Sequence, residues 1–129
     1  MTSWSQLINE IKKRPPEKYL TATQNDVLSY LCETLKYPGA VNLYGAVGSG
    51  KTYVAWALAR MIGAKHLQSP SQIEGIDTGY DILIVDNVDY REMQVRQVLA
   101  SCNLRNVIST VLITQLPITM RMPRIELPL

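Results

Sequence analysis

A chain of 129 residues that is 47% hydrophobic has room for one compact domain and enough apolar content to give it a core. Its 13 Lys and Arg against 11 Asp and Glu leave a net charge of +2, which excludes a broadly basic or broadly acidic surface and makes any charged patch local. The spacing of the two cysteines, Cys32 and Cys102, excludes a zinc site, and both read as buried thiols of a reducing compartment; with no signal-peptide pattern and no run of 18 apolar residues, the sequence predicts a soluble, cytoplasmic protein with no membrane partner.

In chain order, Trp4, Leu7, Ile8 and Ile11 fall at i, i+3, i+4 and i+7, one stripe of a short amphipathic helix that Lys12-Lys13-Arg14-Pro15-Pro16 ends. The stripe suits packing on the domain's own back or docking of a partner, and the basic run reads as a solvated helix end. Residues 1–22 are therefore expected to be an N-terminal helix and linker, and residues 23–129 the core. Thr23 with Asp26 resembles a capping box for a helix whose apolar face is Val27, Leu28, Leu31 and Leu35, stopped by Pro38-Gly39. Residues 40–44 read as a buried strand, residues 51–62 as a helix capped by Gly63, and residues 65–68 as a brief strand, followed by a polar stretch from Ser69 to Tyr80. Ile82-Leu83-Ile84-Val85 has the pattern of a strand buried on both faces. A helix from Arg91 to Asn103 follows, with Met93, Val95, Val98, Leu99 and Cys102 as apolar positions; then come a strand over Val107 to Thr114 and a last short one at Ile125-Glu126-Leu127. Alternating buried strands and helices predict an α/β three-layer sandwich with a mainly parallel sheet.

Between the first of these strands and the helix after it lies Gly45-Ala46-Val47-Gly48-Ser49-Gly50-Lys51-Thr52, a Gly-x-x-x-x-Gly-Lys-Thr sequence in a strand, loop, helix context. Gly45, Gly48 and Gly50 let the backbone turn tightly and aim its N–H groups at an anion. Lys51 puts a charge on β- and γ-phosphates, Thr52 offers a hydroxyl to Mg²⁺, and the helix beginning here, with Tyr53 in its first turn, adds its positive end. A carboxylate at the tip of a neighbouring strand must hold the magnesium's water shell opposite Thr52, and Asp86, 34 residues on and preceded by four apolar residues, fits that place. Asn87 follows where a glutamate would polarise the attacking water. Asparagine accepts no proton, so either Asp89 takes the role or hydrolysis is slow. Thr114, at a strand end, is a candidate to orient water or touch the γ-phosphate. Arg121 and Arg124, in a basic stretch punctuated by proline, are candidates to reach the γ-phosphate of a neighbouring subunit. His66, the only histidine, reads as a packed residue rather than a catalyst.

The order of these segments, Walker A at Gly45 to Thr52, Walker B at Ile82 to Asp86 and the strand end at Thr114, resembles that of the AAA+ ATPases over roughly residues 24–128. The run from Leu43 to Ala59 looks like the P-loop of replication initiators and helicase loaders of the DnaA and DnaC type, Ile84 to Val88 is similar to initiator relatives that also lack the glutamate, and the compactness is similar to that of viral superfamily 3 helicases. The resemblance implies a P-loop NTPase sandwich, a minimal AAA+-like core without the family's helical lid, since the sequence stops at Leu129. It further implies ATP and Mg²⁺ as ligands, a homo-oligomer, and a DNA-replication or other DNA-processing protein as partner, with DNA contact also open. Three functions compete: a slowly hydrolysing ATPase that couples nucleotide state to assembly, a non-hydrolysing ATP-binding interaction protein, and a small nucleotide kinase. Ser69 to Tyr80 is too short and too poor in arginine to favour the kinase.

Overall fold

In the computed structural model, residues 20–76 and 79–128 are described. The stripe from Trp4 to Ile11 and the linker after it lie outside them. Helix α1 (Ala22–Thr34) is started by Thr21, whose hydroxyl accepts the Gln24 N–H while the Gln24 carboxamide accepts the Thr21 N–H. The capping box is thus Thr21 with Gln24, two residues earlier than the expected Thr23 with Asp26, because glutamine reaches back to the cap's N–H where the shorter aspartate falls short. Strand β1 (Gly39–Tyr44) leads through the glycine loop into helix α2 (Lys51–Ile62), which ends on Gly63 in the left-handed conformation with φ 71°. Strand β2 (Lys65–Leu67), a 3₁₀ turn (Pro70–Gly75), strand β3 (Ile82–Val85), helix α3 (Glu92–Leu104), strand β4 (Ser109–Thr114) and strand β5 (Arg124–Glu126) complete the order.

The five strands form one parallel sheet in the order β2-β3-β4-β1-β5. Alternation along the strands sends side chains to two cores. Val41, Leu43, Ile84, Val111 and Ile113 pack against Val27, Leu28 and Leu31 of α1 and Val54, Ala55 and Leu58 of α2. Leu67, Leu83, Val85 and Leu112 pack against Ile73 of the 3₁₀ turn, Val95, Val98 and Cys102 of α3, and Ile118 from the connection between β4 and β5. The architecture is the expected α/β three-layer sandwich. Each large side chain removed from water in these cores, such as Leu31, Leu43 or Leu58, contributes roughly 1.5–3 kcal/mol.

Two expectations about packing need correction. Met93 is 71% exposed and not part of the apolar face of α3, since it lies one position off the Val95, Val98 and Cys102 stripe. Cys32 is half-buried rather than buried; it and Cys102 are both free thiols, each pushed up in pKa mainly by burial. Among the described residues no helix is long and apolar enough to cross a membrane.

Candidate nucleotide site

The strand order carries the chain from β1 past β4 and β3 to β2 in one direction, and from β4 past β1 to β5 in the other. The carboxyl edge where connections leave in opposite directions is where open α/β sheets leave a crevice for ligands. Register aligns that edge: Tyr44 pairs with Thr114 and with Glu126, and Val85 pairs with Leu112. The glycine loop, Asp86 and the end of β4 therefore meet around a cleft of about 680 Å³, lined among others by Gly48, Lys51, Thr52, Asp86 and Leu116.

Gly48 and Gly50 have φ of 85° and 91°, a conformation that side chains with a Cβ rarely adopt, and Gly50 begins α2 without any side-chain cap. The first N–H groups of a 12-residue helix are thus left open toward the cleft. Gly45 is small for a different reason: a Cβ there would run into the backbone carbonyl of Leu127, just beyond β5, so this glycine lets the loop lie against the sheet edge. Lys51 Nζ donates to the carbonyls of Gly45 (2.5 Å) and Ala46 (2.9 Å), holding its charge inside the loop, and burial pulls its pKa down while Asp86 partly offsets that. The Ser49 hydroxyl is buried without a partner. Tyr53 is half-buried in the first turn of α2 and does not line the cleft. A loop of N–H groups, a lysine and an uncapped helix end form a donor set that fits polyphosphate.

Across the cleft, Thr52 Oγ1 donates to Asp86 Oδ2 at 2.9 Å, and the Asn87 N–H donates to Asp86 Oδ1 at 2.8 Å. Burial pushes the Asp86 carboxyl up in pKa, but the His66 imidazole, the Thr52 hydroxyl and the Asn87 N–H outweigh it, so the carboxyl titrates below the ordinary range. A hydroxyl and an ionised carboxylate this close fit a hard, oxygen-loving cation. No cluster of three or more His, Cys, Asp or Glu among the described residues offers an alternative metal site.

His66 packs as expected, its ring 6.4 Å from and perpendicular to that of Trp56 in α2, but it has a neighbour that spacing does not reveal. Its Nε2 stands 3.6 Å from Asp86 Oδ2, too long for a hydrogen bond, with both side chains 9% exposed. The parallel pairing of β2 with β3 brings them together, His66 opposite Ile84.

The other candidates fare differently. Asn87 sits at φ 54°, left-handed, where asparagine is tolerated; it lines the cleft, and its amide donates to the Gln68 carbonyl at 2.8 Å, tying the end of β3 to the end of β2. Asp89 lines the cleft, but its carboxylate holds Arg91, receiving the Arg91 N–H at 2.9 Å and the guanidinium at 2.5–3.0 Å. That pairing keeps its pKa down, the wrong direction for a general base. Thr114 is 2% exposed; its hydroxyl accepts from Asn42 Nδ2 (3.0 Å) and donates to Leu116 O (2.6 Å), so its one proton is directed into the following turn and not toward water or phosphate. Arg124 begins β5 opposite Asn42, two residues short of the cleft edge, and its guanidinium donates to the Ile118 carbonyl. That bond engages Arg124 within its own chain. Arg121 is exposed and lines a second cleft, of about 670 Å³, with Tyr30, Tyr37, Leu99 and Met122 near the start of β1. Sequence reading also missed the buried Asn42, which bonds to Leu112, Thr114 and Ile118 and which a run of apolar strand residues disguises.

No protein-family model and no curated protein matches the sequence. A solved structure described as that of a DNA replication initiation factor is similar over 87% of this chain, with a TM-score of 0.55 and 15% sequence identity. This chain spans 48% of the length of that protein. The likeness is one of fold: an α/β sandwich with a five-stranded parallel sheet and flanking helices.

Proposed function

We propose that this chain binds ATP with magnesium in the cleft at the carboxyl ends of β1, β3 and β4, hydrolyses it slowly, and uses the nucleotide state to control assembly with itself or with a DNA-replication or other DNA-processing partner. The observation that carries the reading is the pairing of the loop Gly45 to Thr52 with Asp86, 2.9 Å from Thr52. Loop N–H groups and the start of α2 receive the phosphates, Lys51 turns from the Gly45 and Ala46 carbonyls onto the β- and γ-phosphates, and Thr52 and Asp86 hold the magnesium side. Magnesium, when bound, neutralises charge on the phosphate oxygens. Slow hydrolysis is supported by two side chains engaged elsewhere, Asn87 with Gln68 and Asp89 with Arg91. The likeness in fold to a DNA replication initiation factor supports the replication theme.

The same two engagements favour a second reading, an ATP-binding interaction protein that does not hydrolyse. Steady-state phosphate release with and without DNA separates the two: low but measurable turnover that vanishes in Lys51→Ala supports the ATPase, and none above that mutant leaves the interaction protein. Arg121 and Arg124 remain the arginines proposed to serve a neighbour's γ-phosphate, and among the described residues Arg121 is the one of the two with no bond within the sheet connection to give up. Turnover per molecule that rises with protein concentration and falls in Arg121→Ala supports a site completed between subunits; a monomer at all concentrations with unchanged turnover removes it.

A further inference from the structure

Residues 115–123 connect β4 to β5 without a helix or strand of their own, and Ile118, fully buried, pins this strap into the core on the α3 side of the sheet. Irregular backbone laid against a sheet face carries peptide groups that need partners where water does not reach. Residues outside the strap supply them, one of them distant in sequence. Asn42, in β1 and 0% exposed, accepts the Ile118 N–H at 3.0 Å and donates to the Leu112 carbonyl at 2.9 Å and to Thr114 Oγ1 at 3.0 Å. Thr114 passes its proton to the Leu116 carbonyl, and Arg124 donates to the Ile118 carbonyl.

This arrangement needs a carboxamide. Asn42 uses its oxygen as an acceptor and its nitrogen twice as a donor; aspartate lacks the donors, and an apolar residue of similar size lacks everything. Central strands of parallel sheets are otherwise apolar, as Val41 and Leu43 beside it are, so a fully satisfied polar group here specifies a geometry that plain packing does not. The geometry it specifies ends at the nucleotide cleft. Gln115 and Leu116, which follow Thr114 directly and stand three and two residues before the Ile118 anchor, line the cleft together with Lys51, Thr52 and Asp86, while Asn42 does not line it.

We propose that Asn42 is a positioning residue of the nucleotide site: through Thr114 and Ile118 it fixes Gln115 and Leu116 as the wall that meets the terminal phosphate of a bound triphosphate. This rests on the cleft being a triphosphate site. A diphosphate lacks the group nearest that wall, so Asn42 governs the preference for triphosphate over diphosphate and not nucleotide binding as such.

Calorimetric titration of Mg·ATP and Mg·ADP into the wild-type protein and Asn42→Val, under conditions where circular dichroism shows both folded, tests this. The expected result is a loss of about tenfold in ATP affinity with ADP affinity held within about twofold. An asparagine that only stabilises the fold lowers the melting temperature and leaves the ATP to ADP ratio unchanged. Should Asn42→Val not fold, Asn42→Ser, which can keep one of the three bonds, gives the same ratio to read. Tight wild-type binding with both affinities falling together, or neither falling, overturns this role alone; wild-type protein that binds neither nucleotide overturns the triphosphate reading and this role with it.

Discussion

The glycine loop, residues 45–52, and the strap, residues 115–123, are both irregular segments that meet at one cleft, yet they are shaped by different means. The loop carries its geometry in its own residues: Gly48 and Gly50 allow the left-handed turns, and Lys51 folds back on the Gly45 and Ala46 carbonyls. The strap has its geometry imposed from outside, by Asn42 of β1 and Arg124 of β5. A segment of the first kind announces its chemistry in any context that folds. One of the second kind can be substituted along its own length and still be held, but loses its shape when a single distant side chain changes.

The largest expected effect sharpens the loop side of this contrast. Lys51→Ala should weaken Mg·ATP binding by about 30- to 150-fold, the equivalent of roughly 2–3 kcal/mol for one charged contact, with little change in melting temperature. A melting temperature that collapses along with binding would mean that the lysine serves the loop's own shape rather than the ligand. Gly45→Ala should act the opposite way. Its Cβ meets the Leu127 backbone, so thermal denaturation should show a loss of about 1–3 kcal/mol before any nucleotide is added.

On the strap side, Arg124→Ala strips the Ile118 carbonyl of its donor and should cost about 1–3 kcal/mol of stability in denaturant titration. ATP affinity and turnover of the folded variant separate two roles: a fall in ATP affinity follows from a loosened strap, whereas a large drop in turnover at unchanged ATP affinity and stability points to a role at a neighbour's phosphate. Asn87 offers a smaller test. Since it is left-handed at φ 54° and bonded to Gln68, Asn87→Glu should destabilise by about 1–2 kcal/mol through backbone strain, and a gain in turnover requires the new carboxylate to leave that bond's direction. Asn87→Gly, free of the strain, should be milder, and equal losses in the two variants would show that the bond to Gln68 outweighs the conformation.

The smallest effect is in acid. The Asp86 carboxyl titrates below its ordinary range in the fold, so the stability it contributes is fully present above its unfolded value of about 3.9 and is lost as pH falls below that, through the folded value. Melting temperatures should therefore fall more steeply below about pH 4 in wild type than in Asp86→Asn. Parallel curves would show that Thr52, His66 and Asn87 do not favour the ionised form.

How much of this was legible in the sequence follows the same division. The fold class, the helix ending on Gly63, the strand over Ile82 to Val85 and the grouping of the loop with Asp86 are local patterns, in which periodicity, glycine and a terminal carboxylate each state their own requirement. The capping box slid by two residues because Thr21-Gln24 and Thr23-Asp26 offer similar chemistry and only the reach of the longer side chain separates them. The roles of Thr114 and Asn42 depend on pairing across 70 or more residues, or on which way one hydroxyl points, and that of Arg124 on how the chain turns between Ile118 and β5. Nothing in a strand reading Ala-Val-Asn-Leu-Tyr says that its asparagine holds a connection more than 70 residues later. His66 beside Asp86 is a product of register between β2 and β3, invisible until the sheet order is known.

The central claim is that the loop and Asp86 together hold a magnesium nucleotide, and the most direct test is calorimetric titration of ATP into wild-type protein with magnesium present and with magnesium chelated, repeated on Asp86→Asn. Wild-type protein should bind ATP more tightly with magnesium than without it, and Asp86→Asn should erase most of that difference while still binding the free nucleotide through the loop. Absence of ATP binding to the folded wild-type protein, or binding that is indifferent to both magnesium and Asp86, would contradict the account.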